Sequence, residues 1–275
     1  MKWLIVSDLH LGSRASRAAQ SLDVLCRLSE QAGRVVFNGD TLDKFYGTDA
    51  QCDSSGTEHL ERLRAVRGVG GQGPTFLTGN HDPGISEEHW LYHEESATLI
   101  VHGDALADCT HPTKHEEQQL MRHFSARWQT LGGRPTDLET LHRHYRAVQL
   151  EFLPVINPYK KSKTAWQYAK SLLYPPRRPF DILRYWRGAP RLALKMARGF
   201  PRPLKHLVFG HSHRAGRWLI DGVEVINTGS FMPFSEPYAV ELEGADVRFM
   251  PLRVLAERVR ESVPVNATVS AGTSA

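Results

Sequence analysis

The chain has 275 residues, 41% of them hydrophobic and 23% charged, with a formal net charge of +4. That is an ordinary globular composition, long enough for one large domain or a domain with an insert, and it excludes collagen-like, low-complexity and wholly disordered classes. Three scattered cysteines (Cys26, Cys52 and Cys109) cannot build a disulfide framework or a CxxC zinc site. The opening apolar run, Trp3 to Val6, is four residues long, and no stretch of 18 apolar residues occurs. A signal-peptide core and a spanning helix are therefore not expected. The expectation is a cytoplasmic chain, at most peripheral to a membrane.

Taken in order, Trp3–Val6 reads as a buried strand, Ser16–Gln31 as an amphipathic helix and Val35–Phe37 as a second strand. Thr57–Arg67 reads as a helix, Thr75–Leu77 as a third strand and Ala97–Val101 as a fourth. Each strand runs directly into a polar cluster: Ser-Asp-Leu-His-Leu-Gly, Asn-Gly-Asp, Gly-Asn-His-Asp and His-Gly-Asp. Strands resume at His206–Phe209, Arg217–Ile220, Val223–Asn227, Tyr238–Leu242 and Val247–Met250, with Gly-His-Ser-His and Asn-Thr-Gly-Ser between them. In α/β sheets, ligands bind beyond the carboxyl ends of strands, so this placement marks a site.

Residues 105–205 differ from the rest. They hold 19 Lys and Arg against 7 Asp and Glu, a surplus of +12, while the remainder holds 15 against 23, a deficit of −8. Helical spacing recurs at Leu120, Phe124, Trp128 and Leu131, and at Leu138, Leu141, Tyr145, Val148 and Phe152. Further helices are expected over Ala165–Leu173, Phe180–Trp186 and Arg191–Ala197, bounded by prolines that include Pro190. The expected organisation is a core of residues 1–104 and 206–261, an inserted basic helical cap at 105–205, and a disordered tail from 262 to 275.

Asp8 and His10 follow the first strand, Asp40 the second, Asn80 the third, His102 the fourth, and His211 and His213 the fifth. Seven nitrogen and oxygen donors, with no thiolate among them, suit Zn, Fe or Mn. Seven exceed one tetrahedral site and match two adjacent cations joined by a carboxylate. Asp43 fits either a supporting role or a helix start. His111 with His115, and His142 with His144, bring no third donor and read as surface histidines.

Asp-Leu-His (8–10), Gly-Asp (39–40), Gly-Asn-His-Asp (79–82), His-Gly-Asp (102–104) and Gly-His-Ser-His (210–213) resemble, in order, the motif series of calcineurin-like metallophosphoesterases. The resemblance implies a four-layer α/β/β/α sandwich and a binuclear hydrolase in which a metal-bridging hydroxide attacks phosphorus. It implies one metal, manganese foremost, on Asp8, His10, Asp40 and His213. A second would sit on Asp40, Asn80, His102 and His211, with Asp40 bridging. It also implies that His81 acts as the catalytic acid, that Asp82 orients it, and that Asn38 or Asp104 fixes a ligand's tautomer.

A helical insert between His-Gly-Asp and Gly-His-x-His, and the run His-Gly-Asp-Ala-Leu-Ala-Asp at 102–108, are similar to UDP-2,3-diacylglucosamine hydrolases of lipid A synthesis. That branch implies an anionic nucleotide-lipid substrate, cleaved to UMP and a lipid 1-phosphate. Its best-known members carry Arg where this chain has His81. In the insert, Asn157, Lys160, Lys163 and Trp166 are the expected substrate contacts. Leu172 to Tyr174, Ile182 with Leu183, and Tyr185 with Trp186 are candidates for membrane-surface contact. Nucleic acid ranks below these partners, and no obligate protein partner is expected. The alternatives are another phosphatase or phosphodiesterase of the same superfamily, and a non-catalytic scaffold.

Overall fold

The computed structural model describes residues 1–44, 50–107, 115–156 and 163–261. In chain order its elements are β1 (Trp3–Val6), α1 (Leu22–Gln31), β2 (Arg34–Asn38), α2 (Ala50–Ala65), β3 (Thr75–Leu77), β4 (Trp90–His93) and β5 (Thr98–Val101). Four helices follow: α3 (His115–Thr130), α4 (Leu138–Ile156), α5 (Ala165–Leu173) and α6 (Arg178–Ala197). The chain ends with β6 (His206–Phe209), β7 (Gly216–Ile220), β8 (Val223–Asn227), β9 (Tyr238–Glu243), β10 (Asp246–Pro251) and α7 (Leu252–Glu261).

The strands form two mixed five-stranded sheets, ordered β10-β9-β1-β2-β3 and β4-β5-β6-β8-β7. Their faces follow from alternation along each strand. Ile5, Val36 and Val240 of the first sheet and Ile100, Val208 and Ile226 of the second turn inward into one apolar layer. Ile5 lies beside both Val36 and Val240 in register, and Val208 beside both Ile100 and Ile226. The intervening residues turn outward. Leu4, Val6, Val35 and Phe37 pack against α1, α2 and α7, through Leu25, Leu63 and Leu255 among others. Leu99, Val101, Leu207 and Phe209 pack against α3, α4 and α6, through Phe124, Tyr145 and Ala193. The result is an α/β/β/α sandwich. Strands covered on both faces read as unbroken apolar runs, as these do.

Several elements differ from the sequence expectation. The helix expected from Ser16 begins at Leu22, after a short 3₁₀ turn at Ala18–Ser21. Strand β4 and helix α7 were not expected. The first is a short edge strand held only by β5, and the second buries Leu252, Leu255 and Val259 on the first sheet. The two helices expected on either side of Pro190 are one helix, with Pro190 buried inside it. An internal proline costs about 3 kcal/mol. Burial of Ile182, Ala189, Ala193, Leu194, Met196 and Ala197 on one face of α6 offsets that cost. His142 is a further correction, since it is buried and its Nδ1 bonds the Leu138 carbonyl at 2.8 Å. It adjoins the buried face of α4 and stacks on His89 at 6.0 Å. The tail from residue 262 lies outside the described residues.

Strands β1, β2 and β3 are parallel, and so are β5, β6 and β8. The carboxyl ends of both triplets therefore meet along one edge of the sandwich. Asn38 ties the sheets there, its Nδ2 donating to the Val101 carbonyl at 3.0 Å.

The inter-sheet layer should dominate stability. Ile5→Ala is expected to cost about 2–5 kcal/mol in urea unfolding, whereas Leu219→Ala, at a side chain 77% exposed, should change it by less than about 0.5 kcal/mol.

Candidate metal centre

Five loops at this edge, those after β1, β2, β3, β5 and β6, carry parts of one cluster. Asp8, His10, Asp40 and His213 offer donor atoms within 4.8 Å of one another, and Asp40, His102 and His211 form a second such group. Asp40 belongs to both. Its Oδ1 accepts the His81 backbone N–H at 2.9 Å, while its Oδ2 faces His102 Nε2 at 3.3 Å and His10 Nε2 at 3.8 Å. In the first group, His10 Nε2 and His213 Nε2 approach to 3.0 Å, and His213 Nε2 stands 3.3 Å from Asp8 Oδ1. In the second, His211 Nδ1 lies 2.9 Å from Asn80 Oδ1, which brings the expected fourth donor to that group.

The backbone is bent to present these side chains. Asp8, His10, Asp40, His211 and His213 all have positive φ, between 49° and 62°. Such a conformation is uncommon outside glycine and costs roughly 1–3 kcal/mol per residue. It turns alternate residues of each loop inward. Glycines make room beside them. Gly39, at φ 77°, lies against the His102 ring, and a Cβ at Gly210 would collide with the Asp8 carboxylate.

Supporting contacts fix each donor. His102 Nδ1 donates to the Asn38 carbonyl at 2.9 Å, so its buried Nε2 is turned to the cluster, where it offers a lone pair to a cation once its proton is displaced. This tautomer lock belongs to the Asn38 backbone. Asp104 instead accepts from the Ala105 N–H at 3.1 Å. Asp8 accepts the Ser7 hydroxyl and the His211 N–H, and Ser7 in turn meets Thr228 Oγ1 at 2.6 Å. Sequence reading gave Ser7 and Thr228 no role, although both lie in polar clusters that follow strands.

Asp82 differs from expectation. It accepts four backbone N–H groups, from Asp40, Thr41, Leu42 and Gly79, at 2.8–3.1 Å. It thus staples the β2 and β3 loops together and does not orient His81. That task falls to Asp43, whose Oδ1 lies 2.9 Å from His81 Nδ1. With Nδ1 engaged, His81 is left to act through Nε2. Its side chain is 21% exposed, whereas that of His102 is 1%, so His81 faces the opening.

The field of the cluster is strongly negative. Burial alone would raise the Asp40 carboxyl, yet the imidazoles of His102, His81 and His10 hold it well below the carboxylate range. Burial should lower His81, but the charges of Asp40 and Asp43 push it up to about 9. His102 is likewise raised well above its usual value against burial, chiefly by Asp40. His10 and His211, lowered first by burial and then by the neighbouring imidazoles of His81 and His102 respectively, fall to about 4 and about 3. Burial and the Asp40 charge push Asp82 up to about 7. A site that holds protons on imidazoles between buried carboxylates is one that favours a cation in their place. Neutral imidazole nitrogens, carboxylates and an amide oxygen are donors suited to divalent transition metals. The residues present therefore fit divalent cations.

The middle helices close over this edge. Trp186 Nε1 donates to the Ser212 carbonyl at 2.8 Å, and the Tyr185 ring stands edge-on to His211 at 6.4 Å. Trp186 is thus tied into the site loop. Trp166 is 77% exposed in the first turn of α5, behind the Thr164 cap, and Lys163 precedes that cap. Asn157 and Lys160 lie outside the described residues. Among the described residues, no helix is long and apolar enough to cross a membrane.

No protein-family model matches the chain, and no curated protein does so significantly. Solved structures similar to it include YfcE of E. coli, described as a phosphoesterase, at 14% identity and a TM-score of 0.43 over 93% of this chain and 95% of that one. A Streptococcus pneumoniae protein described as a predicted phosphoesterase matches at 13% identity and TM-score 0.32, over 92% and 91%. Zinc-complexed Vps29 of Entamoeba histolytica matches at 12% and 0.33, over 92% and 99%. At these TM-scores the likeness is loose.

In the metal-free chain, His81 should titrate near 9 in an NMR pH series, and Asp43→Asn should bring it down towards 6.5. Because its folded value lies above its unfolded one, protonated His81 stabilises the metal-free fold fully below about pH 6.5. That contribution fades as pH rises through about 9. A His81 that titrates near 6.5 in both proteins would overturn this electrostatic account.

Proposed function

We propose that the chain is a metal-dependent phosphoesterase of the calcineurin-like kind, holding two divalent cations. One would sit on Asp8, His10, Asp40 and His213, the other on Asp40, Asn80, His102 and His211. The observation that carries this reading is the single Asp40 carboxylate shared by two donor groups. When bound, the cations supply an acidified water and Lewis-acid stabilisation of the phosphoryl oxygens. The chain's own residues do the rest. Asp40 holds the two donor groups at a fixed spacing, and Asp82 fixes the loops that carry Asp40 and Asn80. Asp43 aligns His81 and favours its charged form, so that His81 Nε2 can give its proton to the departing oxygen as the phosphorus–oxygen bond breaks.

We infer further that the substrate is a pyrophosphate of the UDP-2,3-diacylglucosamine type, with manganese as the working metal. The exposed face of α6 supports an anionic amphiphile. Phe180 and Leu183 stand at its start, 72% and 44% exposed, and Arg184, Arg187, Arg191 and Lys195 continue the same face without a carboxylate among them. Trp166, Leu173 and Tyr174 of the adjoining α5 and its end are also exposed. Apolar side chains rimmed by cations suit acyl chains beside phosphates, at an anionic bilayer surface.

Asp40→Asn should remove turnover on bis-p-nitrophenyl phosphate and reduce bound metal measured by plasma mass spectrometry. Normal turnover in this variant would refute the shared-ligand assignment. His81→Ala should lower kcat about 10²–10⁴-fold with metal content kept. Loss of both metals would make His81 structural.

The substrate is tested by UMP release in Mn²⁺, comparing UDP-2,3-diacylglucosamine with UDP-glucose and bis-p-nitrophenyl phosphate. The lipid should be cleaved fastest, and Phe180→Ser with Leu183→Ser should slow only the lipid. Hydrolysis confined to the small diester would reject the lipid substrate and leave the metal chemistry standing.

A further inference from the structure

The loop that follows β8 contains an aromatic residue that packing does not explain. Phe234 is 79% exposed, yet its φ is +64°. The Ser235 N–H donates to the Met232 carbonyl at 3.3 Å, closing a four-residue turn with Pro233 second and Phe234 third. Proline second and positive φ third are the marks of a type II turn, whose third position normally takes Gly or Asn. A bulky side chain there is a genuine outlier. It buries little in return, so it does not stabilise the fold by burial. A strained, exposed aromatic is an observation from which function is properly inferred.

The turn is also held rigidly at the metal centre. The Phe231 N–H donates to the Asp8 carbonyl at 3.1 Å, and the Ser235 hydroxyl donates to the His213 carbonyl at 2.6 Å. Ser235 Oγ accepts the Ser230 N–H at 3.0 Å, and the Arg17 guanidinium donates to the carbonyls of Met232 and Ser235. Both chain segments on either side of Phe234 are thus bonded to backbone of proposed metal ligands. An aromatic ring on a clamped turn loses little freedom when it is covered, and a flat ring pairs best with another flat ring.

We propose that Phe234 is a substrate-binding residue that stacks on a planar heterocycle of the phosphoester, as in a nucleotide, at the rim of the metal centre. This deepens the hydrolase reading and rests on it. Stacking is tolerant of base identity because every base presents a π-face. The substrate class it implies is therefore a nucleotide-bearing phosphoester or anhydride. Phosphates without a ring would be bound without help from Phe234.

The test uses calorimetric Kd values for the full, Mn²⁺-loaded chain with UMP, AMP, ribose 5-phosphate and octyl phosphate. Phe234→Ala should weaken both nucleotides by roughly tenfold and leave ribose 5-phosphate and octyl phosphate unchanged, while Phe234→Trp keeps nucleotide affinity. Phe234→Gly should weaken the nucleotides alike and raise Tm by about 2–4 °C, as relief of strain requires. Equal weakening of ribose 5-phosphate would mean that the turn only supports the metal loops. Selective weakening of octyl phosphate would make the occupant a chain, and unchanged nucleotide affinity would remove Phe234 from the site; each overturns the proposal. A chain that binds nucleotides through Phe234 but hydrolyses no phosphoester would refute the hydrolase reading alone.

Discussion

The Asp40 carboxylate is the point through which the two halves of the sandwich communicate. It follows β2 of the first sheet, yet its Oδ2 faces His102, which follows β5 of the second. Its backbone is held by Asp82 from the β3 loop, and its Oδ1 by the His81 N–H. A buried carboxylate is costly unless paired, and Asp40 is compensated by imidazoles drawn from both sheets. The sandwich therefore has to close correctly for this charge to be tolerated. The same closure brings all seven expected donors to one edge. Folding and site assembly are one event here, because the inter-sheet apolar layer of Ile5, Val36, Val208 and Ile226 sets the spacing at which these carboxylates and imidazoles meet.

That spacing is reached at a cost in backbone strain. Five of the proposed ligands sit in left-handed conformations, and histidine and aspartate accept these more readily than branched residues do. Hydrogen bonds made in this conformation offset the cost, such as His10 N–H to the Asp40 carbonyl at 2.9 Å and His211 N–H to the Asp8 carboxylate. Each loop is thereby locked by the other. Rigidity of this kind leaves little in these loops for a bound cation to rearrange.

Much of this was legible from residues alone. The strands that carry the site, β1, β2, β3, β5 and β6, fall where apolar runs end in polar clusters, because a strand buried on both faces is apolar along its covered length and gives way to polar residues where it leaves the sheet. Strand β4 was illegible because an edge strand needs only one covered face, and Trp90 to His93 show no alternation. The continuity of α6 through Pro190 was illegible because local propensity forbids it and only the sheet beneath permits it. The exchange of roles between Asp82 and Asp43 was hidden for another reason. Adjacency in sequence suggested that Asp82 serves His81, but neighbouring residues on a tight loop point in different directions. Only the three-dimensional path of the β2 loop brings Asp43 to His81.

The division between chemistry and selection follows from the same geometry. The donors and His81 occupy loops that are locked to one another and to the sheets, so their spacing cannot adapt to a substrate. Selection must then come from elements that touch the edge without forming it. Two such elements flank it from opposite sides of the chain. Helix α6 is anchored by Trp186 to the loop that carries His211 and His213, and its solvent face is cationic with an apolar start. The turn bearing Phe234 is anchored to the same loop through the His213 carbonyl. Because the anchors are the adjacent carbonyls of Ser212 and His213, whatever one grips is placed closely relative to the other. On the proposed hydrolase reading, a phosphoester with a flat head and a long apolar tail is the ligand such a pair of grips would suit.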